Sequence, residues 1–330
     1  MSTDQREIEI RVVETDGLSY AVDALVLKHA QALYGFDALV VECANVAPDQ
    51  LPLPNGFRVV RDPVGIGARV LLFIGVRPIS EFSYTDIRKF GYTALCSVAS
   101  AVPDATEIAL TLHGVGYGLD EVECLNAEVA GIIDAIESQD VPRALSTVTF
   151  LEINPGRAIR LRERLASLLG ARSTVVTGIA PASKLGAEQV ETLRAAGSEN
   201  LRRHAFVAMP FSDEFSDVFH YGISNAVRAS GLLCERIDRQ AFTGDVLERL
   251  KTEIRNASVV VADLTGANAN VFLEVGFAWG SDVPTVFVCR EGAPLTFDVQ
   301  GQRCLFYDSI RDLENKLGAE LKALQRSTID

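Results

Sequence analysis

Residues Ser258 to Gly280 read SVVVADLTGANANVFLEVGFAWG, and the fold of the C-terminal half turns on where that stretch changes period. Val259 to Ala262 is apolar without alternation, as in a central strand covered on both faces. It ends in Asp263. Ligands of open parallel sheets sit beyond the carboxyl ends of the strands, so an acid at that position is placed to meet one. The Gly- and Asn-rich loop Leu264 to Asn270 then turns into a helix that Asn270 can cap with its side-chain oxygen. At 100° per residue, Val271, Val275 and Ala278 share one stripe and Glu274 lies at its edge. Glu274 is the only ionisable residue from Val271 to Gly280. A helix apolar nearly all round is expected to be buried, and a carboxylate carried inside with it is costly unless something offsets that burial. Glu274 is therefore read as a carboxylate at a pocket mouth, against the alternative that it complements the helix dipole or pairs with an arginine. Asp263 either orients a substrate or caps its own turn.

Outward from this core the same rhythm recurs. Strands are expected at His204 to Met209, Leu232 to Ile237, Ser258 to Ala262, Thr285 to Cys289 and Cys304 to Tyr307. Helices are expected near Phe215 to Ala229, Val246 to Asn256, Val271 to Gly280 and Ile310 to Gln325. The first half carries strands at Ile8 to Val13, Ala38 to Val41, Val70 to Val76, Glu107 to Leu112 and Thr147 to Ile153. Its helices are expected at Ser19 to Leu33, Tyr84 to Val102, Leu119 to Glu137 and Gly156 to Leu169. The expected fold class is α/β in two domains: residues 1–171 with a mixed sheet flanked by helices, and residues 203–330 with a parallel sheet flanked by helices. Residues 172–202, rich in Ser, Thr, Ala and Gly and holding Pro181, read as a linker with one short amphipathic helix at Ala187 to Ala196.

Composition narrows the function. The chain has 330 residues, 48% hydrophobic and 23% charged, with a formal net charge of −13 and a pI near 4.9. No basic run offsets that charge, so a nucleic-acid polymer is not an expected partner, while a small nucleotide needs only a few local donors. Four histidines without metal-pair spacing give no expectation of a metal or other cofactor, and six cysteines without a CxxC pair read as buried free thiols of a cytosolic protein. Met1 to Ile10 is polar and no apolar stretch approaches the roughly 20 residues of a membrane helix, so a cytoplasmic protein without membrane association is expected. A homo-oligomer is expected as well.

FVAMPF (Phe206 to Phe211), the RID of Arg236 to Asp238, VVADLTGANANVFLEVGFA (Val260 to Ala278) and Phe297-Asp298 together resemble the nucleoside 2-deoxyribosyltransferase-like group, which is structurally close to TIR domains. The resemblance covers about residues 203–324 and implies a flavodoxin/TIR-like sheet. It implies that Glu274 attacks or stabilises the anomeric carbon and that Asp263 handles the base or orients the nucleophile. Met209, Pro210, Phe211, Ser212, Asp238, Asn268, Asn270 and Gly276 would border the substrate. The chain has Asn268 and Asn270-Val271 where the transferases commonly carry Asp and Gly-Thr. Hydrolysis of a nucleotide, or of NAD as a substrate, is thereby expected beside transfer. Nicotinamide leaves as a neutral molecule from a cation, which suits a site with one essential acid. Phe211, Phe242 and Phe272 could stack on a base, and Arg236, Arg239 and Arg303 could meet a phosphate.

In the first half, VLLFIGV (Val70 to Val76) and IALTLHGVGYGLD (Ile108 to Asp120) resemble a macro-like domain of the kind found at the front of leucyl aminopeptidases. Gly114, Gly116 and Gly118 lie between a strand and a helix, where backbone N–H groups could cradle a phosphate. Together the two resemblances imply a nucleotide sensor joined to an N-glycosidase, as in antiphage-defence effectors. The alternatives are a nucleotide-salvage N-glycosidase or deoxyribosyltransferase, and a non-catalytic nucleotide-binding sensor.

Overall fold

The computed structural model describes residues 6–177, 185–198, 203–237, 244–294 and 303–327. It is α/β throughout and divides into two compact units, Met1–Val115 with Glu121–Glu199, and Gly116–Asp120 with Asn200–Asp330.

The first unit is built on a seven-stranded sheet: β1 (Glu7–Glu14), β2 (Val22–His29), β3 (Phe57–Arg61), β4 (Ala68–Gly75), β5 (Glu107–Leu110), β6 (Thr147–Glu152) and β7 (Thr174–Val176), in the order β3-β4-β2-β5-β6-β1-β7. The outer strands β3 and β7 pair antiparallel and the five inner strands pair parallel. Its helices are α1 (Gly35–Cys43), α2 (Tyr84–Ala101), α3 (Glu121–Glu137), α4 (Pro155–Leu169) and α5 (Ala187–Ala195). The segment read as a linker thus carries β7 and α5, and residues 178–184 and 199–202 lie outside the described residues. Helices α2 and α3 cross closely: a Cβ on Gly91 would strike the Glu128 carbonyl, and one on Gly131 the Arg88 carbonyl.

The sequence reading placed no strand at β3 or β7, and two elements that it did place are exchanged. Ser19 to Leu33 was expected as a helix and instead supplies β2, while Ala38 to Val41, expected as a strand, lies in α1. Strand β2 sits between β4 and β5 and is buried on both faces from Ala24 to Leu27, so its alternation is erased and its apolar run mimics a buried helix. In α1 the buried set Asp37, Val40 and Val41 follows the i, i+3, i+4 spacing, which four apolar letters in a row conceal.

The second unit has five strands, all parallel: β8 (His204–Ala208), β9 (Leu233–Glu235), β10 (Val259–Asp263), β11 (Thr285–Arg290) and β12 (Cys304–Tyr307), ordered β12-β11-β10-β8-β9. The chain leaves β8 toward β9 on one side and then builds β10, β11 and β12 on the other. This is the doubly wound flavodoxin-type order, and its switch point lies between β8 and β10. Alternate residues feed two cores. Ala205, Val207, Val259, Val261 and Val288 pack with α6 (Ser224–Ala229) and α9 (Ile310–Ser327). Phe206, Ala208, Val260, Ala262 and Phe287 pack with α7 (Gly244–Asn256) and α8 (Ala269–Gly280).

Helix α8 is not buried all round as expected. Val271, Glu274, Val275 and Ala278 face inward, while Leu273 is 61% exposed and Trp279 43%. A helix flanking a sheet meets it on one side only, and an all-apolar sequence does not reveal which side. Its N-cap is Asn268 rather than Asn270: the Asn268 Oδ1 accepts from the Asn270 N–H at 2.9 Å. The cysteines described are all free, but Cys43 is exposed while Cys124, Cys234 and Cys289 are buried. Among the described residues no helix is long and apolar enough to cross a membrane.

Candidate active site

The carboxyl ends of β8, β10, β11 and β12 surround a cleft of about 380 Å³ at the switch point. Each wall comes from a chain segment that must turn as a strand ends. After β8, Met209 stays in the core and accepts from Arg236 Nη1 at 3.6 Å through its sulfur. Pro210, Phe211 and Ser212 then turn outward and line the cleft, and a short 3-10 turn at Asp213–Phe215 closes that side. The Arg236 guanidinium lies 3.9 Å from the ring centre of Phe219 and 4.9 Å from that of Phe211, so it holds the aromatic wall by cation–π contact.

Strand β10 ends in Asp263, and the chain then carries Thr265, Gly266 and Asn268, which line the cleft. Asp263 is fully buried. Its Oδ1 accepts from the Thr265 N–H at 2.9 Å and its Oδ2 from the Tyr307 hydroxyl at 3.1 Å. Burial pushes the Asp263 carboxyl up, and the bonds from Thr265 and Tyr307 and the nearby Arg290 charge hold back part of that rise. Burial, together with the Asp263 charge, raises Tyr307 in turn. Thr265 also accepts from the Arg290 N–H at 2.9 Å, which ties the β10 loop to the end of β11. Arg290 itself is exposed in the cleft.

The cleft therefore gathers four of the residues expected from sequence, Pro210, Phe211, Ser212 and Asn268, with Asp263 behind them. Glu274 is 3% exposed and faces the core shared with α7, and it is not among the residues lining the cleft. Asn270 and Gly276 sit on the exposed side of α8. Asp238, Arg239, Phe242, Phe297 and Asp298 lie outside the described residues. Phe272 packs against the core, and Arg303 pairs with Glu320 at 2.9 Å. Thr265, Arg290 and Tyr307 were missed in the sequence, although Tyr307 closes a strand that it marks and Arg290 directly follows one, and strand ends are where a doubly wound sheet binds.

Of the three glycines expected to cradle a phosphate, Gly114 belongs to the first unit and Gly116 and Gly118 to the second. All three have positive φ, +88°, +86° and +106°, a region open to glycine at little cost. The segment is held in the second unit: Tyr117 forms a single antiparallel bridge with Ile237, and buried Asp120 accepts from Arg228 Nε and from the Cys234 N–H, both at 3.0 Å.

Beside the start of β8, His204, Glu235 and Glu253 bring potential metal-ligand atoms within 4.8 Å of one another. His204 Nε2 lies 2.9 Å from the Glu253 carbonyl oxygen. A ring nitrogen that donates its N–H there has no lone pair for a cation, so Nε2 is not offered as a ligand in this arrangement.

No family model matches the chain, and no curated protein matches it. Among solved structures it is similar to a mutant of tomato leucine aminopeptidase, at 12% identity over 98% of this chain and 90% of that one, with a TM-score of 0.34.

Proposed function

We propose that the second unit cleaves or transfers an N-glycosidic bond of a nucleotide or of NAD, as its resemblance to nucleoside deoxyribosyltransferase-like and TIR-like enzymes implies. The observation that supports this reading is the cleft at the switch point of a doubly wound sheet, lined by Pro210, Phe211, Ser212 and Asn268, with the buried Asp263 carboxylate behind them. Departure of the base leaves a ribosyl cation. The Glu274 carboxylate offsets that charge, or bonds to the anomeric carbon until water or an acceptor hydroxyl replaces it. Asp263, oriented by Thr265 and Tyr307 and raised by burial, holds a proton longer than an exposed aspartate and is suited to hydrogen-bonding the leaving base. Arg290 is the cleft's cationic anchor for a phosphate. With a ligand-sensing first unit, the chain would work as a regulated effector of the antiphage type.

A second reading, a non-catalytic nucleotide-binding module, is favoured by the absence of Glu274 from the lining of the cleft. Incubation of the full chain with NAD and with nucleoside monophosphates, followed by chromatography for free bases, separates the readings. Nicotinamide release supports an NAD-cleaving effector, and nucleobase release a salvage enzyme. Binding without release of any base, with or without a second nucleotide added, supports the binding module and ends the enzymatic one.

A further inference from the structure

The first unit has its own cleft, of about 300 Å³, where β4 ends and α2 begins. Its floor is apolar, from Ile74, Val76, Pro54 and the buried ring of Phe90, and its walls are polar, from Asn55, Arg77, Thr85, Asp86, Lys89 and Thr93. Phe90 is held from behind by His113, edge-on with ring centres 4.3 Å apart, so the floor cannot easily yield. The wall Pro52–Gly56 is pinned to the strand end. The Asn55 N–H donates to the Gly75 carbonyl at 3.0 Å, the Gly75 N–H donates to the Gly56 carbonyl at 2.9 Å, and Gly75 leaves no room there for a Cβ.

Two cations, Arg77 and Lys89, and one carboxylate, Asp86, line this cleft. Arg77 is spent on Asp86, with two parallel bonds at 3.0 and 2.7 Å. Lys89 is not spent in that way. Its Nζ donates to the neutral Asn55 Oδ1 at 2.7 Å, and among the described residues no carboxylate lies within ion-pair distance of it. Lys89 is exposed at the mouth of the cleft and held there by a neutral amide, so its charge is open to an anion entering the cleft. The start of α2 adds little, because Ser83 and Asp86 already cap it. An apolar floor, one cation without a carboxylate partner and room at the small end of ligand pockets fit a phosphomonoester with a flat body.

We propose that this cleft binds a nucleoside monophosphate, its phosphate on Lys89 and its base against Pro54 and Val76. The site is separate from the chemistry assigned to the second unit and from the glycine segment Gly114 to Gly118. Its test therefore reads binding, not turnover.

Hydrogen–deuterium exchange of the full chain with and without 5′-AMP locates the ligand. Slower exchange is expected in peptides covering Pro52 to Arg61 and Tyr84 to Thr93. In Lys89→Glu, an exposed substitution that leaves the fold intact, the AMP concentration needed for that protection rises by about tenfold or more, the worth of one charge-assisted hydrogen bond. Lys89→Arg keeps the charge and retains protection, and adenosine without its phosphate protects far less than AMP. Protection confined to residues 114–120 or to the second unit's cleft overturns the proposal. So does equal protection by AMP in the wild type and Lys89→Glu, or none at millimolar AMP in a protein that melts normally.

Discussion

Both units bury titratable groups near the carboxyl ends of parallel strands, yet they treat them differently. In the first, Lys28 near the end of β2 pairs with Asp37 of α1 at 2.6 Å, and His113 lies 3.0 Å from Glu128 of α3. All four are buried. Burial drives Glu128 well up and His113 well down, so it disfavours the charged form of each. In the second unit Asp263 is just as buried, but the groups that hold it, Thr265 and Tyr307, line an open cleft. Burial of an ionisable group is therefore no sign of chemistry by itself. What separates the two sets is whether the partners face one another or face a space that a ligand can fill.

The strongest way to break that contrast is Glu274→Gln. The amide keeps the shape and hydrogen-bonding reach of the side chain but not its charge, so base release should fall on the order of 10³-fold while nucleotide still binds. Base-release kinetics and a melting curve on the same sample decide the matter. Full turnover with a markedly lower Tm would move Glu274 to the structural side with Lys28 and Asp37.

On that structural side, Lys28→Met strands the Asp37 carboxylate, whose Oδ1 already has no hydrogen-bond partner. It should cost about 3–5 kcal/mol in urea unfolding, and Lys28→Met with Asp37→Leu should recover most of that loss. A cost below about 1 kcal/mol for the single change would mean that water reaches the pair, and the sealed-versus-open distinction would fail.

The same distinction explains what could be read from the sequence. The run Val259 to Asp263 told its place because a strand covered on both faces and ending in an acid has few homes other than the centre of a parallel sheet. The identical logic failed at β2, where VDALVLKH carries enough Ala and Leu to pass for a helix and only its neighbours β4 and β5 decide otherwise. Thr265, Arg290 and Tyr307 converge from three different strand ends. Their meeting depends on sheet order and register, which no local pattern encodes. Asp37 and Lys28 likewise meet through tertiary packing.

Titration sharpens the contrast further. An aspartate whose folded pKa is raised holds its proton in the native state after the unfolded chain has lost its own. The stabilisation is full at pH values below the ordinary aspartate range. It is lost as pH climbs through that range to the higher folded value, and stays lost above it. Asp263→Asn removes this slope, so the variant should match the wild type in acid and melt a few degrees higher near neutral pH. Base release should drop in the same protein. A variant that melts lower at neutral pH would show that the bonds from Thr265 and Tyr307 outweigh the burial of the charge.

The smallest expected effect is the most discriminating, because it sets two chemically matched residues against each other. Asn154 caps α4 and Asn268 caps α8, each through a side-chain oxygen that accepts a backbone N–H at 2.9 Å. Alanine at either position removes one cap bond and should cost about 0.5–2 kcal/mol. On stability alone the two variants are indistinguishable. They differ in that Asn268 also lines the cleft at the switch point of its sheet, while Asn154 lies in the first unit. Asn268→Ala should therefore weaken nucleotide binding severalfold as well, and Asn154→Ala should leave it unchanged, when both are titrated by calorimetry at a temperature where each is fully folded. If Asn268→Ala binds as tightly as the wild type, the loop after β10 does not touch the ligand. Asn268 then joins Asn154 as a purely structural cap, and the open cleft of the second unit loses its claim to be the seat of the substrate.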